Sequence, residues 1–207
     1  MADRPTAVTV VCAIATLARV VAWPTAAAAA PESDRTPLQV LTVAVTNPAS
    51  LPLPNLSRAQ SLTASIYGRA GVTLRWAVAG ATEVPTLTVI IVNSTGRPVA
   101  STDVMGVARK GDDGSRGTIA YVFLDRVTAF ADSNHVAPWA VLGAAMAHEI
   151  GHLLLPANAH DPYGIMRASW HPSIFPPIGS GVPGFSPEQA RLIRASVASR
   201  VVVASTP

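Results

Sequence analysis

Two of the five histidines in this 207-residue chain, His148 and His152, stand four positions apart, with Glu149 directly after the first. An α-helix turns once in about 3.6 residues, so positions four apart share a face and both imidazoles can point at one ion. Zinc accepts such nitrogens at about 2.0–2.1 Å. Glu149, about 100° further round the helix, can lie beside the ion without ligating it, which is where a general base works. Trp139 to Ala147 run into this stretch without a charge, so the helix reads as apolar nearly all round. A Glu and two His at the end of such a helix are costly to bury without partners. The plain alternative is a buried helix in which they merely satisfy each other. Against it stand His160 and the run Gly164-Ile165-Met166, all within one short loop downstream.

A site with only two imidazoles needs a third ligand. His160 is the first choice, because imidazole suits zinc and the residue lies just past the helix end. Asp161 is the nearest substitute, and Glu188 on a later helix is a third option. An acid at Glu188 also has a simpler use, since a carboxylate in a first turn favours the helix N-terminus. Leu155 precedes Pro156, which pushes it out of the helical region and stops the helix. Asn158 tolerates the left-handed conformation of a return turn, and the seven residues between His152 and His160 give ample reach. Tyr163 is placed either to donate to an oxyanion and contact substrate or simply to pack near the turn.

The stretch His148 to Met166 resembles the metzincin class of zinc endopeptidases, which carry His-Glu-x-x-His, a turning glycine, a third His and a tight turn containing Met. The resemblance implies that His148 and His152 are ligands, that Glu149 is the base, and that Met166 is the structural methionine of the turn. It departs from the class at Leu155 and Asn158, which stand where the glycine and third His are usual, so His160 comes two residues late. Trp170, His171 and Phe175 fall where the class forms the wall of its specificity pocket. The implied activity is hydrolysis of peptide bonds in a peptide or protein substrate by a zinc-activated water, with Glu149 as general base. Two other classes fit the same motif. One is an exported binding domain that keeps zinc for stability without turnover; the other is a zinc hydrolase acting on a non-peptide amide or ester.

The elements that must hold these residues follow in order. Leu38 to Val45 alternates and is β-branched, a strand. Prolines 52 and 54 read as loop, and Ser57 as the start of a helix running to about Arg69. Strands are expected over Val72–Val78 and Thr86–Val92, the latter apolar enough for a central strand covered on both faces. Val104 to Arg109 is shorter and more polar, an edge strand against which an extended substrate could pair. Lys110 to Gly117 is a glycine-rich turn, a reading preferred to a calcium loop built on Asp112 and Asp113. A fifth strand over Thr118–Leu124 precedes a helical turn or loop at 125–132, with His135 near a helix cap. The metal helix spans Pro138 to about Leu154, and residues 167–184 are irregular. Ser186-Pro187-Glu188-Gln189 opens a final helix whose Ala190, Leu192, Ile193 and Val197 pack under the site.

The expected fold class is therefore α/β (α+β): a mixed, twisted sheet of about five strands with an edge strand at the cleft, an active-site helix, a Met-turn and a C-terminal helix. This element order is similar to that of metzincins, although order alone fits other α/β folds. A hydrophobic share of 49% with 13% charged residues argues against disorder. The formal charge of +3 comes from scattered arginines, with no basic patch interleaved by aromatics, so nucleic acid is not an expected partner.

Residues 1–30 read as a signal peptide, with Arg4, the apolar run Ala7–Thr16 and small residues at Ala26–Ala30. Arg19 and Pro24 break the run before it could span a membrane. The expectation is a secreted or extracytoplasmic protein, with a linker at 31–37, in which Asp34 is a solvated acid, and a catalytic domain at 38–207. The sole cysteine, Cys12, lies in the leader, which leaves the exported domain without a thiol. Asn93-Ser94-Thr95 matches a glycosylation acceptor.

Overall fold

The computed structural model describes residues 39–77, 84–94, 104–109, 117–157, 159–175 and 181–204. Among these, a strand and a helix are followed by four strands and then by three more helices. All of these belong to one compact unit, Thr36–Pro207. The readings placed on 1–37, on Thr95, on Asp112 and Asp113, and on Asn158 lie outside the described residues.

The strands are β1 (Gln39–Thr46), β2 (Val72–Trp76), β3 (Leu87–Val92), β4 (Gly106–Arg109) and β5 (Ile119–Phe123). They form one mixed sheet in the order β2-β1-β3-β5-β4. The first three pairings are parallel, and β4 runs antiparallel on the outside of β5, with Val107 opposite Tyr121. The edge strand read from the sequence is thus an edge strand, beginning two residues later than expected. Central β3 buries Leu87, Val89 and Ile91 completely or nearly so, whereas Thr88 and Ile90 are half-buried. One face of β3 is therefore sealed and the other only partly covered, rather than both being closed.

Helix α1 spans Leu53–Arg69, four residues earlier than the Ser57 start read from the sequence. The prolines taken for loop are its beginning: Pro52 is the N-cap, and Pro54 lies in the first turn. Neither position needs a backbone N–H, so proline costs nothing there. Asn47 closes the loop before it, accepting from Leu51 N–H at 3.1 Å and donating to Leu51 O at 2.9 Å. Helix α2 (Leu124–Asn134) replaces the short turn expected at 125–132 with three full turns. Val127 and Ala131, four apart, bury one face, and His135 ends the helix with a left-handed φ of 54°. Helix α3 (Pro138–Leu154) has its expected bounds, and Leu155 leaves it in extended conformation before Pro156.

Helix α4 (Pro187–Ala204) opens with the expected capping box: Gln189 N–H donates to Ser186 Oγ at 3.3 Å, and Ser186 N–H to Gln189 Oε1 at 3.0 Å. Ile193 and Val197 bury its inner face. Helix α3 lies across β3, β5 and β4 and packs against all three other helices. Two polar contacts tie α1 to it, Thr63 Oγ1 donating to Gly143 O at 2.9 Å and Tyr67 Oη to Ala147 O at 3.1 Å. No helix among the described residues is long and apolar enough to cross a membrane.

Candidate metal centre

Helix α3 is buried over its whole inner length, Val141 to Gly151, which fixes the rotation of the residues that follow. His148 and Glu149 keep only 9% and 6% of their surface. His148 Nδ1 lies 2.9 Å from Ile165 O, so the proton sits on Nδ1 and the Nε2 lone pair is left free. That Nε2 stands 3.0 Å from His152 Nε2. Two nitrogens bound tetrahedrally to one zinc at about 2.0–2.1 Å would stand about 3.3 Å apart, so the pair is spaced for a shared ion.

The third member is His160. The ligand atoms of His148, His152 and His160 all lie within 4.8 Å of one another. Burial grades from buried His148 through half-buried His152 to exposed His160, so the cluster opens outward on one side. Burial pushes the His148 imidazole down to about 4, against a hydrogen bond with Ile165 that raises it and the nearby His160 charge that lowers it further. The ring is neutral at ordinary pH, the form a metal requires. These three residues could hold a metal ion.

The other ligand candidates are engaged elsewhere. The Asp161 carboxylate accepts the Tyr163 N–H at 2.9 Å, stiffening the turn. Glu188 sits exposed in the first turn of α4 and pairs with Arg191 at 2.6 Å, which holds its carboxyl below the usual range. Tyr163 itself is 79% exposed and does not line the cleft beside the histidines.

Met166 is fully buried directly beneath α3. A Cβ at Gly151 would meet its Sδ at 2.6 Å, so the glycine before His152 is what lets the methionine come up under the helix. The turn is made at Gly164, with φ of 75°, and is tied down where Ile165 N–H donates to Gly184 O at 3.0 Å. The His160 loop is held from below by α4, through Gln189 Nε2 donating to Ala159 O at 3.2 Å.

Glu149 turns from α3 toward the edge strand, where the Ala108 N–H donates to it. Burial nonetheless raises its carboxyl to about 8, the hydrogen bond offsetting only part of that rise. Gly106 makes the approach possible, because a Cβ there would stand 2.5 Å from Glu149 Cγ. The roles of Gly106 and Gly151 were not read from the sequence; only the absence of any side chain marked them.

Histidines and Glu149 share a cleft of about 1300 Å³ bounded by β4, the length of α2 and residues 167–170. It exceeds the roughly 300–1,000 Å³ of a small-molecule pocket and suits an extended ligand. Trp170 forms one wall, edge-on to the His148 ring at 5.6 Å and 83°. Phe175 backs it at a ring distance of 5.8 Å and is met in turn by Phe130 at 5.9 Å. His171, expected on the same wall, is exposed and accepts the Ser173 N–H at the start of a 3₁₀ turn. No protein-family model matches the sequence, and no curated protein matches it either.

Proposed function

We propose that the protein is an exported zinc-dependent endopeptidase of metzincin type, acting on peptide bonds. The observation that carries this reading is the meeting of three imidazoles, with a buried carboxylate next to the innermost one, on the wall of a cleft wide enough for extended chain. The donor set fits zinc: neutral nitrogen ligands, a carbonyl fixing the tautomer of His148, and an open outer side where His160 is exposed. Export with removal of residues 1–30 is part of the same proposal.

His148, His152 and His160 would hold the ion. When bound, zinc supplies Lewis acidity that makes water nucleophilic near neutral pH and polarises a carbonyl. Burial raises the Glu149 carboxyl to about 8, and a cation held by the three histidines would favour its ionised form. So ionised, Glu149 would take the proton from the attacking water and return it to the leaving amine. Its burial excludes bulk water, and the Ala108 N–H fixes the carboxylate so that little reorganisation accompanies the transfer. Peptide laid along the free edge of β4 would use main-chain hydrogen bonds, as in strand addition. A proline at Val104 tests that pairing and should raise KM. A proline at Gly106 does not, because its Cβ would collide with Glu149.

The test is a fluorogenic peptide library assayed on the wild type and on Glu149→Ala, with and without chelator. Cleavage that needs both metal and Glu149 supports the reading. Equal, chelator-insensitive signals would remove it, and cleavage of ester or non-peptide amide probes alone would move the reaction class.

A further inference from the structure

Arg167 follows Met166 directly and lines the cleft that also holds His148 and Glu149. It is half-buried, and it makes no hydrogen bond or ion pair with any described residue. Every other formally charged side chain on the cleft wall is engaged. Arg126 gives Nη1 to Val104 O at 2.8 Å and lies over the Phe123 ring at 5.1 Å, so it braces the approach to β4. Asp125 accepts both the N–H and the hydroxyl of Ser94. Glu149 is buried against β4 and held by Ala108.

A guanidinium that has lost part of its hydration without gaining a partner is a site in want of an anion. Its planar fork matches a carboxylate through two parallel N–H donors. The balance of the cleft points the same way. Arg126 and Arg167 formally offset Asp125 and Glu149, so a divalent ion at the histidines would leave the cleft positive.

We propose that Arg167 is a specificity-determining residue that receives a carboxylate of the bound peptide, so that peptides presenting a carboxylate at that position are the preferred substrates. The proposal rests on the peptidase reading only for taking the ligand to be a peptide. The carboxylate can come from an acidic side chain or from a free C-terminus, and both present the same chemistry to the guanidinium.

The experiment is fluorescence anisotropy on the zinc-loaded full chain carrying Glu149→Gln, so that bound peptide is not consumed. Four labelled octapeptide pools are compared: glutamate or glutamine at the varied positions, each with a free or an amidated C-terminus. Pools that carry the right carboxylate should bind about 10- to 100-fold more tightly than those that lack it, and the gap should narrow as salt rises. Arg167→Gln should remove the gap, and Arg167→Lys should keep part of it by retaining charge without the fork. Dependence on glutamate identifies a side-chain carboxylate; dependence on the unblocked end identifies the terminus. Equal binding of all four pools, no binding of any, or a preference that survives in Arg167→Gln would overturn the proposal. Turnover of the same pools by wild type separates the two claims. Arg167-dependent binding without cleavage would defeat the peptidase reading and leave the carboxylate site standing, whereas cleavage with no preference for either carboxylate would do the reverse.

Discussion

Replacing Gly106 by alanine should disable Glu149 while leaving the metal site intact. A Cβ at 106 would lie 2.5 Å from Glu149 Cγ and 2.8 Å from its Cδ, against an ordinary contact of 3.4 Å or more. The shortfall with Cγ is about 0.9 Å, and the same Cβ would also stand 2.7 Å from Tyr121 O, a backbone atom held in the β4–β5 ladder. Glu149 must therefore move by close to 1 Å or the strand must give way. Misplacement of that size costs on the order of 100-fold in rate. Overpacking of this kind costs about 1–3 kcal/mol, which in a chain of this size lowers Tm by roughly 2–12 °C. φ at 106 is not positive, so the cost comes from these two contacts and not from backbone strain. Steady-state kinetics on a cleavable peptide, zinc content by mass spectrometry and a thermal melt should together show kcat lost and zinc retained. Wild-type kcat in Gly106→Ala, or a loss of kcat that tracks a loss of zinc, would refute the placement of Glu149 against this glycine.

Other perturbations read separate parts of the account. Zinc should raise the Tm of wild type, by about 2.7 kcal/mol of stabilisation at a hundredfold excess over Kd, and should do nothing for His148→Ala; equal shifts in both would show binding elsewhere. Gln189→Ala removes half of the α4 capping box and the hydrogen bond to Ala159, so it should cost about 1–2 kcal/mol and weaken zinc binding several-fold through the His160 loop. Unchanged zinc affinity in that variant would show that the loop is held by other means. Burial tends to raise the Asp125 carboxyl, but the Ser94 hydroxyl and N–H outweigh it and hold the group below its ordinary 3.8. A group with a depressed folded-state pKa stabilises above its unfolded value, and that contribution fades as pH falls through the folded one. In Ser94→Ala the NMR titration of Asp125 should therefore shift upward; an unmoved midpoint would count against the pairing.

What the sequence made legible was local and periodic. The bounds of α3, the capping box of α4 and the stop at Leu155 all follow from neighbours within a turn, and all stand as read. The start of α1 was misplaced because prolines 52 and 54 look the same in a loop and in a first turn; only the packing of Leu56 and Ala59 decides. Helix α2 was shortened because just Val127 and Ala131 mark its buried face. Within the site, His148, Glu149 and His152 are joined by helical spacing. The meeting with His160 depends instead on how a loop returns, which no spacing rule contains. Tyr163 looked like a site residue by proximity in the chain, but its N–H is tied to Asp161 and its side chain stands in solvent. Gly106 and Gly151 were invisible for a related reason, since each matters only through a side chain from elsewhere in the fold.

X-ray absorption at the zinc edge of the purified, zinc-replete protein bears most directly on all of this. One ion per chain, with three imidazole nitrogens at about 2.0–2.1 Å that drop to two in His160→Ala, is the predicted result. A protein that takes up no zinc, or holds it without these histidines, would contradict the account at its root.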